Sequence, residues 1–129
     1  MQQFHVAAGI LRNSGGQVLI TERIEAGPYR DLWEFPGGKI HAGETALVAL
    51  KRELLEEIGI EATAIEPFMN LIHEYPDRTV ELEFFSVTEW SGEPAGLEGQ
   101  QIRWIDIPDL KPDELLPADV QVISALRNS

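Results

Sequence analysis

Apolar positions open the chain in two runs, residues 4–11 (FHVAAGIL) and 17–22 (QVLITE), separated by RNSGG. Asn, Ser and Gly supply turn chemistry, so the pattern predicts two strands joined as a hairpin. Residues 24–32 (IEAGPYRDL) interrupt it with Gly-Pro. WEF then predicts a short strand that stops at Pro36-Gly37-Gly38, where a loop of special backbone geometry should follow. From Thr45 to Ile58 no Gly or Pro occurs, and Leu47, Leu50, Leu54 and Ile58 recur at three- and four-residue intervals. That spacing predicts an amphipathic helix, ended by Gly59, with Ile60 as a packing contact beyond it.

The second half of the chain returns to alternation. Segments 63–75 and 79–89 flank Pro76-Asp77-Arg78, and in the second Val80, Leu82 and Phe84 alternate with Glu81 and Glu83, which predicts another hairpin. A short strand, QIRWI, follows the loop SGEPAGLEG, and residues 106–116, with Pro108 and Pro112, read as loop. Pro117 suits the first turn of a last helix over about 117–127, with Val122, Ile123 and Leu126 apolar. Strands before and after a central helix, plus a terminal helix, imply an α/β fold with one mixed sheet covered on both faces.

A length of 129 residues fits one domain over residues 1–129, and 43% hydrophobic with 25% charged residues is a globular composition. Cysteine is absent, which excludes disulfides, thiolate metal sites and cysteine nucleophiles and accords with a reducing compartment. The opening MQQFHVAAGI lacks the basic and long apolar regions of a signal peptide, and nowhere do about 18 apolar residues run together. A cytoplasmic monomer without membrane association is the expectation. Acidic residues number 22 against 10 basic ones, a net charge of −12, and the Lys and Arg are scattered. That field is wrong for a nucleic-acid backbone, so no nucleic-acid partner is expected, and a polyphosphate ligand needs divalent cations to mediate.

The central helix carries Glu53, Glu56 and Glu57 within a sector of roughly 100°, beside the sector of Leu47, Leu50, Leu54 and Ile58. Like charges at such spacing repel by roughly 0.2–0.5 kcal/mol per pair when exposed, and by more when partly buried. A hard cation reverses the sign, because Mg2+ takes carboxylate and carbonyl oxygens and completes its shell with water and substrate phosphates. Ala46 and Ala49 leave room above the strip, and Gly37 and Gly38 can bring backbone groups close, having no Cβ. A solvated acidic face is the other reading of the same three residues.

Gly38, five residues, Glu44, seven residues, then Arg52-Glu53-Leu54-x-Glu56-Glu57-x-Gly59-Ile60 fills every fixed position of the Nudix box. On these residues the chain resembles the Nudix hydrolases, which cleave nucleoside diphosphates linked to another group. The similarity continues outside the box: GILRN, WEFPGGKI, YPDR, the WSGEP loop, Glu98-Gly99-Gln100 and a terminal helix beginning Pro-Ala follow the layout of the branch that hydrolyses 8-oxo-dGTP.

The resemblance implies an α/β/α sandwich with a mixed β-sheet, a Mg2+ cofactor with Mn2+ as its substitute, and a nucleoside triphosphate substrate. Water would attack the β-phosphorus, releasing monophosphate and pyrophosphate and clearing 8-oxo-dGTP from the DNA precursor pool. By the same resemblance Glu53, Glu56 and Glu57 are expected to bind metal together with the Gly37 carbonyl, and Glu53 is favoured as general base. Arg52 would orient the box, pairing for instance with Glu53; by itself it reads as half of a surface salt bridge. Glu98 is expected to bind metal or act as base, and on composition alone is a polar loop residue. Arg23 and Lys39 are the cations placed for phosphate, with Gly38 among the substrate-binding positions.

The base is expected near Glu34-Phe35-Pro36-Gly37, Asp77-Arg78 and Asp119, the last a place where that branch carries asparagine. Ionised Asp only accepts hydrogen bonds, so Asp119 could not donate to a guanine O6. It could accept from the guanine N1–H and amino group or from a cytosine amine, or donate if the pocket raises its pKa. A carboxylate favouring a helix N-terminus is its structural reading. Pro28, a histidine in that branch, is a second departure. Two other functions stay open: a related pyrophosphohydrolase preferring CTP or dCTP or accepting several bases, and a nucleotide-sensing module without catalysis. His5, His41 and His73 are too dispersed for zinc.

Overall fold

The computed structural model describes residues 2–128. Along them run β1 (Gln2–Leu11), β2 (Gln17–Glu22), β3 (Trp33–Glu34), β4 (Gly37–Lys39), α1 (Ala46–Ile58), β5 (Glu61–Tyr75), β6 (Arg78–Ser91), β7 (Ile102–Asp106) and α2 (Pro117–Arg127). The strands form a four-stranded mixed sheet, ordered β4-β1-β6-β5 with β1 parallel to β6, and a three-stranded antiparallel sheet, ordered β3-β2-β7.

Alternation along β1 builds the layers. Ala7 and Leu11 pack with Ala49, Leu50, Leu54 and Ile58 of α1, whereas Ala8 and Ile10 pack with Ala118, Val122, Ile123 and Leu126 of α2. The sheets are thus covered on opposite faces, the expected α/β/α arrangement. Each fully buried Leu or Ile contributes roughly 1.5–3 kcal/mol from its removed apolar surface. Helix α1 begins at Thr45, whose side chain accepts from Val48 N–H at 3.2 Å, and it ends at Gly59, which is left-handed at φ 74°. Ile60 N–H reaches back to the Leu54 carbonyl at 3.4 Å, and its side chain is buried.

Four expectations need correcting. The first two runs are a hairpin only at their tip, where Arg12 bridges Val18 and Asn13 Oδ1 accepts from Gly15 and Gln17; beyond it β1 and β2 diverge into different sheets. One mixed sheet therefore becomes two, because β1 is already flanked by β4 and β6. Pro36-Gly37-Gly38 leads into a strand rather than a loop: Gly37, Gly38 and Lys39 pair with Ala8, Ala7 and Val6. Only glycine fits there, since a Cβ on Gly37 would lie 2.1 Å from the Ala7 carbonyl oxygen. Leu47, assigned to the buried stripe, is 41% exposed, and Ala49 is buried instead.

Candidate active site

A cleft of about 460 Å3 opens between the mixed sheet, the acidic edge of α1 and the first turn of α2. Glu53, Glu57 and Glu98 line one part of it together with Gly37 and Gly38, and Glu34, Phe35, Arg78 and Asp119 line another. Arg23 and Lys39 are on its wall. Four expected residues fall outside the lining. Asp77 is exposed in the β5–β6 turn, pointing up a difference from its neighbour Arg78; Pro36 is buried and its carbonyl accepts from Gly9 N–H at 2.8 Å; Arg52 and Glu56 flank the cleft.

Glu57 sits where the last turns of α1 press against β4. Its Oε2 accepts from Gly37 N–H at 3.2 Å and its Oε1 from the buried Thr21 hydroxyl at 3.3 Å. Burial, followed by the nearby charge of Glu34 and more weakly of Glu98 and Glu53, pushes its carboxyl up to about 8. The neighbouring Gly38 admits Glu53 closely, because a Cβ on Gly38 would lie 2.4 Å from the Glu53 carboxyl carbon. Glu98 is brought to the same cleft by a loop docked on the end of α1. Glu57 and Ile58 carbonyls, left without helical partners, accept from Leu97 and Ala95 N–H, and Gln100 ties Glu57 O (3.1 Å) to Glu98 N–H (2.9 Å).

Arg52 organises the outer edge. Its Nε and Nη2 donate to the two Glu44 oxygens at 2.7 and 3.0 Å, its Nη1 to Glu53 at 2.8 Å and Glu56 at 3.3 Å, and its Nη2 also to the Lys39 carbonyl at 3.0 Å. The paired guanidinium, with the His41 N–H, holds the Glu44 carboxyl down at about 2. Each box carboxylate is thus directed to a protein donor, and among the described residues no three acidic or histidine side chains stand as a ready-made cation cage. Glu53, Glu57 and Glu98 nevertheless offer the oxygen donors that a hard divalent ion takes along one cleft, and the Gly38–Glu53 approach is a cradle that any Cβ would fill.

At the α2 end, Asp119 is 2% exposed and its Oδ2 accepts from Phe35 N–H at 3.0 Å. Burial, with the Glu34 charge adding to it, pushes the carboxyl up to about 8. Glu34, itself raised by burial, pairs with Arg23 at 3.1 Å, so this expected phosphate cation already holds a carboxylate partner. Arg23 Nε is buried, and no partner for it exists among the described residues. Lys39 lies over the Phe4 ring at 4.0 Å, and Arg78 over the same ring at 5.8 Å.

Sequence reasoning passed over Thr21, Gln100, Tyr75 and the Arg52 partnership of Glu44. Fixed spacing in the box singled out Glu44, but nothing local pairs it with a residue eight positions on. Thr21, Gln100 and Tyr75 act across 36, 43 and 43 residues and leave no local pattern.

The NUDIX domain profile matches residues 3–126. An 8-oxo-dGTP diphosphatase of Haemophilus influenzae is 46% identical over 123 residues, 95% of this chain and 90% of that one. A CTP pyrophosphohydrolase of Escherichia coli is 33% identical over 125 residues, 97% of this chain and 92% of that one. Among solved structures, one described as MutT from Aliivibrio salmonicida and Vibrio cholerae superposes with a TM-score of 0.81 at 36% identity, covering 98% of this chain and 97% of that one. Together, the profile match and the common fold make the chain a member of the NUDIX domain family, the Nudix hydrolases.

Proposed function

We propose that this hydrolase cleaves 8-oxo-dGTP to the monophosphate and pyrophosphate. The observation carrying the reading is the buried Asp119 carboxyl beside the Phe35 amide. Held neutral, it offers a donor as well as an acceptor, as an asparagine would, so it can donate to the O6 and accept from the N7–H that 8-oxoguanine has and guanine lacks. The 46% identity to a relative named for this activity supports the same base.

Members of the family work with a divalent cation. We take it as Mg2+, held by Glu53, Glu56, Glu57, Glu98 and the Gly37 carbonyl; when bound, such an ion neutralises triphosphate charge and lowers the pKa of water. Glu53 takes the proton of the attacking water, and Arg52 keeps it oriented through the 2.8 Å bond. Arg23, Lys39 and the Gly38 backbone meet the phosphates, while Phe35, Arg78 and Asp119 receive the base. Glu34 orders Arg23 from the other side. Asp77 and Pro36 act through the segments that they hold.

A CTP-preferring hydrolase is the second reading, favoured by the acceptor that Asp119 becomes when ionised and by the 33% identical relative named for CTP. Hydrolysis of 8-oxo-dGTP, dGTP, CTP and dCTP in heavy-oxygen water with Mg2+ decides. The highest kcat/KM is expected for 8-oxo-dGTP, with label in pyrophosphate. A preference of about tenfold or more for CTP overturns the base assignment. Label in the monophosphate overturns attack at the β-phosphorus, and binding without phosphate release leaves a sensing module.

A further inference from the structure

The first turn of α2, which presents Asp119, is capped from another element. Leu116 at the N-cap has no side-chain acceptor, Pro117 has no N–H, and Asp119 N–H bonds the Leu116 carbonyl at 2.8 Å. Ala118 N–H donates to the hydroxyl of Tyr75, at the far end of β5, at 3.1 Å. A tyrosine thus does what a Ser, Thr or Asp does at most helix starts. Its ring, 4% exposed, also meets the Tyr29 ring edge-on at a centroid distance of 5.2 Å and the Arg78 guanidinium at 5.2 Å. Tyr29 belongs to the 23–32 segment, which is closed by Arg23 N–H to Leu32 O and Asp31 N–H to Arg23 O.

We propose that Tyr75 is a positioning residue for base recognition: its hydroxyl fixes the turn that carries Asp119, and its ring seats the loop bearing Tyr29 beside Arg78. The proposal rests on the reading of Asp119 as a base contact given above. Ala118 and Asp119 are adjacent and both line the cleft, so a shift of this turn displaces the carboxyl relative to Phe35 N–H. Tyr75 needs no substrate contact for this role.

Tyr75→Phe keeps the ring and removes only the hydroxyl. The expected result is a KM for 8-oxo-dGTP raised by about tenfold, a kcat within about twofold, and a preference over dGTP reduced by about the same factor as KM rises. Hydrogen exchange should show a faster Ala118 amide. In an Asp119→Ala background, the same change should leave the preference where Asp119→Ala alone puts it, because no carboxyl remains to be positioned. Unchanged KM and preference, or an equal further loss in the Asp119→Ala background, overturn the proposal. Tyr29→Leu, which cuts the ring contact from the loop side, should raise KM by about threefold at constant kcat, and no rise in either variant has the same consequence. A parent enzyme that prefers another nucleotide overturns the substrate reading instead, and the same split between KM and kcat is then read on that nucleotide.

Discussion

At the α1 edge of the cleft a guanidinium keeps a carboxylate ionised, whereas at the α2 end burial keeps one neutral. Arg52 grips Glu44 with two bonds and holds it at about 2, while Asp119, enclosed by core residues and served by one amide, rises to about 8. The residue types are nearly the same, so the difference comes from pairing against desolvation. Glu57 lies between the two regimes: it is buried like Asp119, yet it belongs to the box and faces Glu34, Glu98 and Glu53. One chain of net charge −12 therefore sets a carboxyl held ionised by its partner and carboxyls held neutral by burial around a single cleft.

The contrast breaks first at the α1 edge. Glu53→Gln keeps the size and the bond to Arg52 changes only in charge, so kcat at saturating Mg2+ should fall by about 10²–10⁴-fold. Steady-state kinetics check this, and a loss of less than about tenfold removes Glu53 from the role of base. Arg52→Lys should cost less, about 10–100-fold in Mg2+ affinity measured by calorimetry, since one ammonium cannot hold Glu44 at both oxygens and Glu53, Glu56 and the Lys39 carbonyl as well. Retained affinity would mean that the network is only a surface ion-pair cluster.

The two ends also differ in how readily they were read from the sequence. Helix α1 was legible because its apolar period and its box spacing are local: Leu50, Leu54 and Ile58 are buried as the stripe requires, and Glu53 and Glu57 reach the cleft together. Leu47 fails the same rule because it lies in the first turn, where less of the sheet covers the helix. Strand pairing was less legible. The parallel β1–β6 ladder joins residues more than seventy positions apart, and no alternation in either segment announces it. Asp119 stood out only as a departure from asparagine, and its neutrality depends on burial by the Phe35 and α2 surroundings rather than on its neighbours in sequence. Tyr75 carries no local signal of its role, because the helix start that its hydroxyl caps lies 43 residues on.

At the neutral end, the pH dependence of stability is the sharpest test. Asp119 in the folded chain keeps a proton up to about 8, against an ordinary value of 3.8. Between these two values the folded chain binds more protons than the unfolded one, so this group's contribution to stability falls as pH rises and levels off above about 8. Asp119→Asn removes the effect, and Glu57, which acts in the same direction, cancels between the two proteins. The Tm of the Asn variant minus that of the parent should therefore rise from about pH 5 to about pH 8, by the equivalent of a few kcal/mol, and then stay flat. In kinetics, the preference for 8-oxo-dGTP over dGTP should weaken above about pH 8 in the parent and hold in the Asn variant. Taking the ratio of two substrates at each pH cancels the titration of the water and its base. A Tm difference that does not vary with pH would mean that Asp119 is ionised like Glu44, and the contrast between the two ends would disappear.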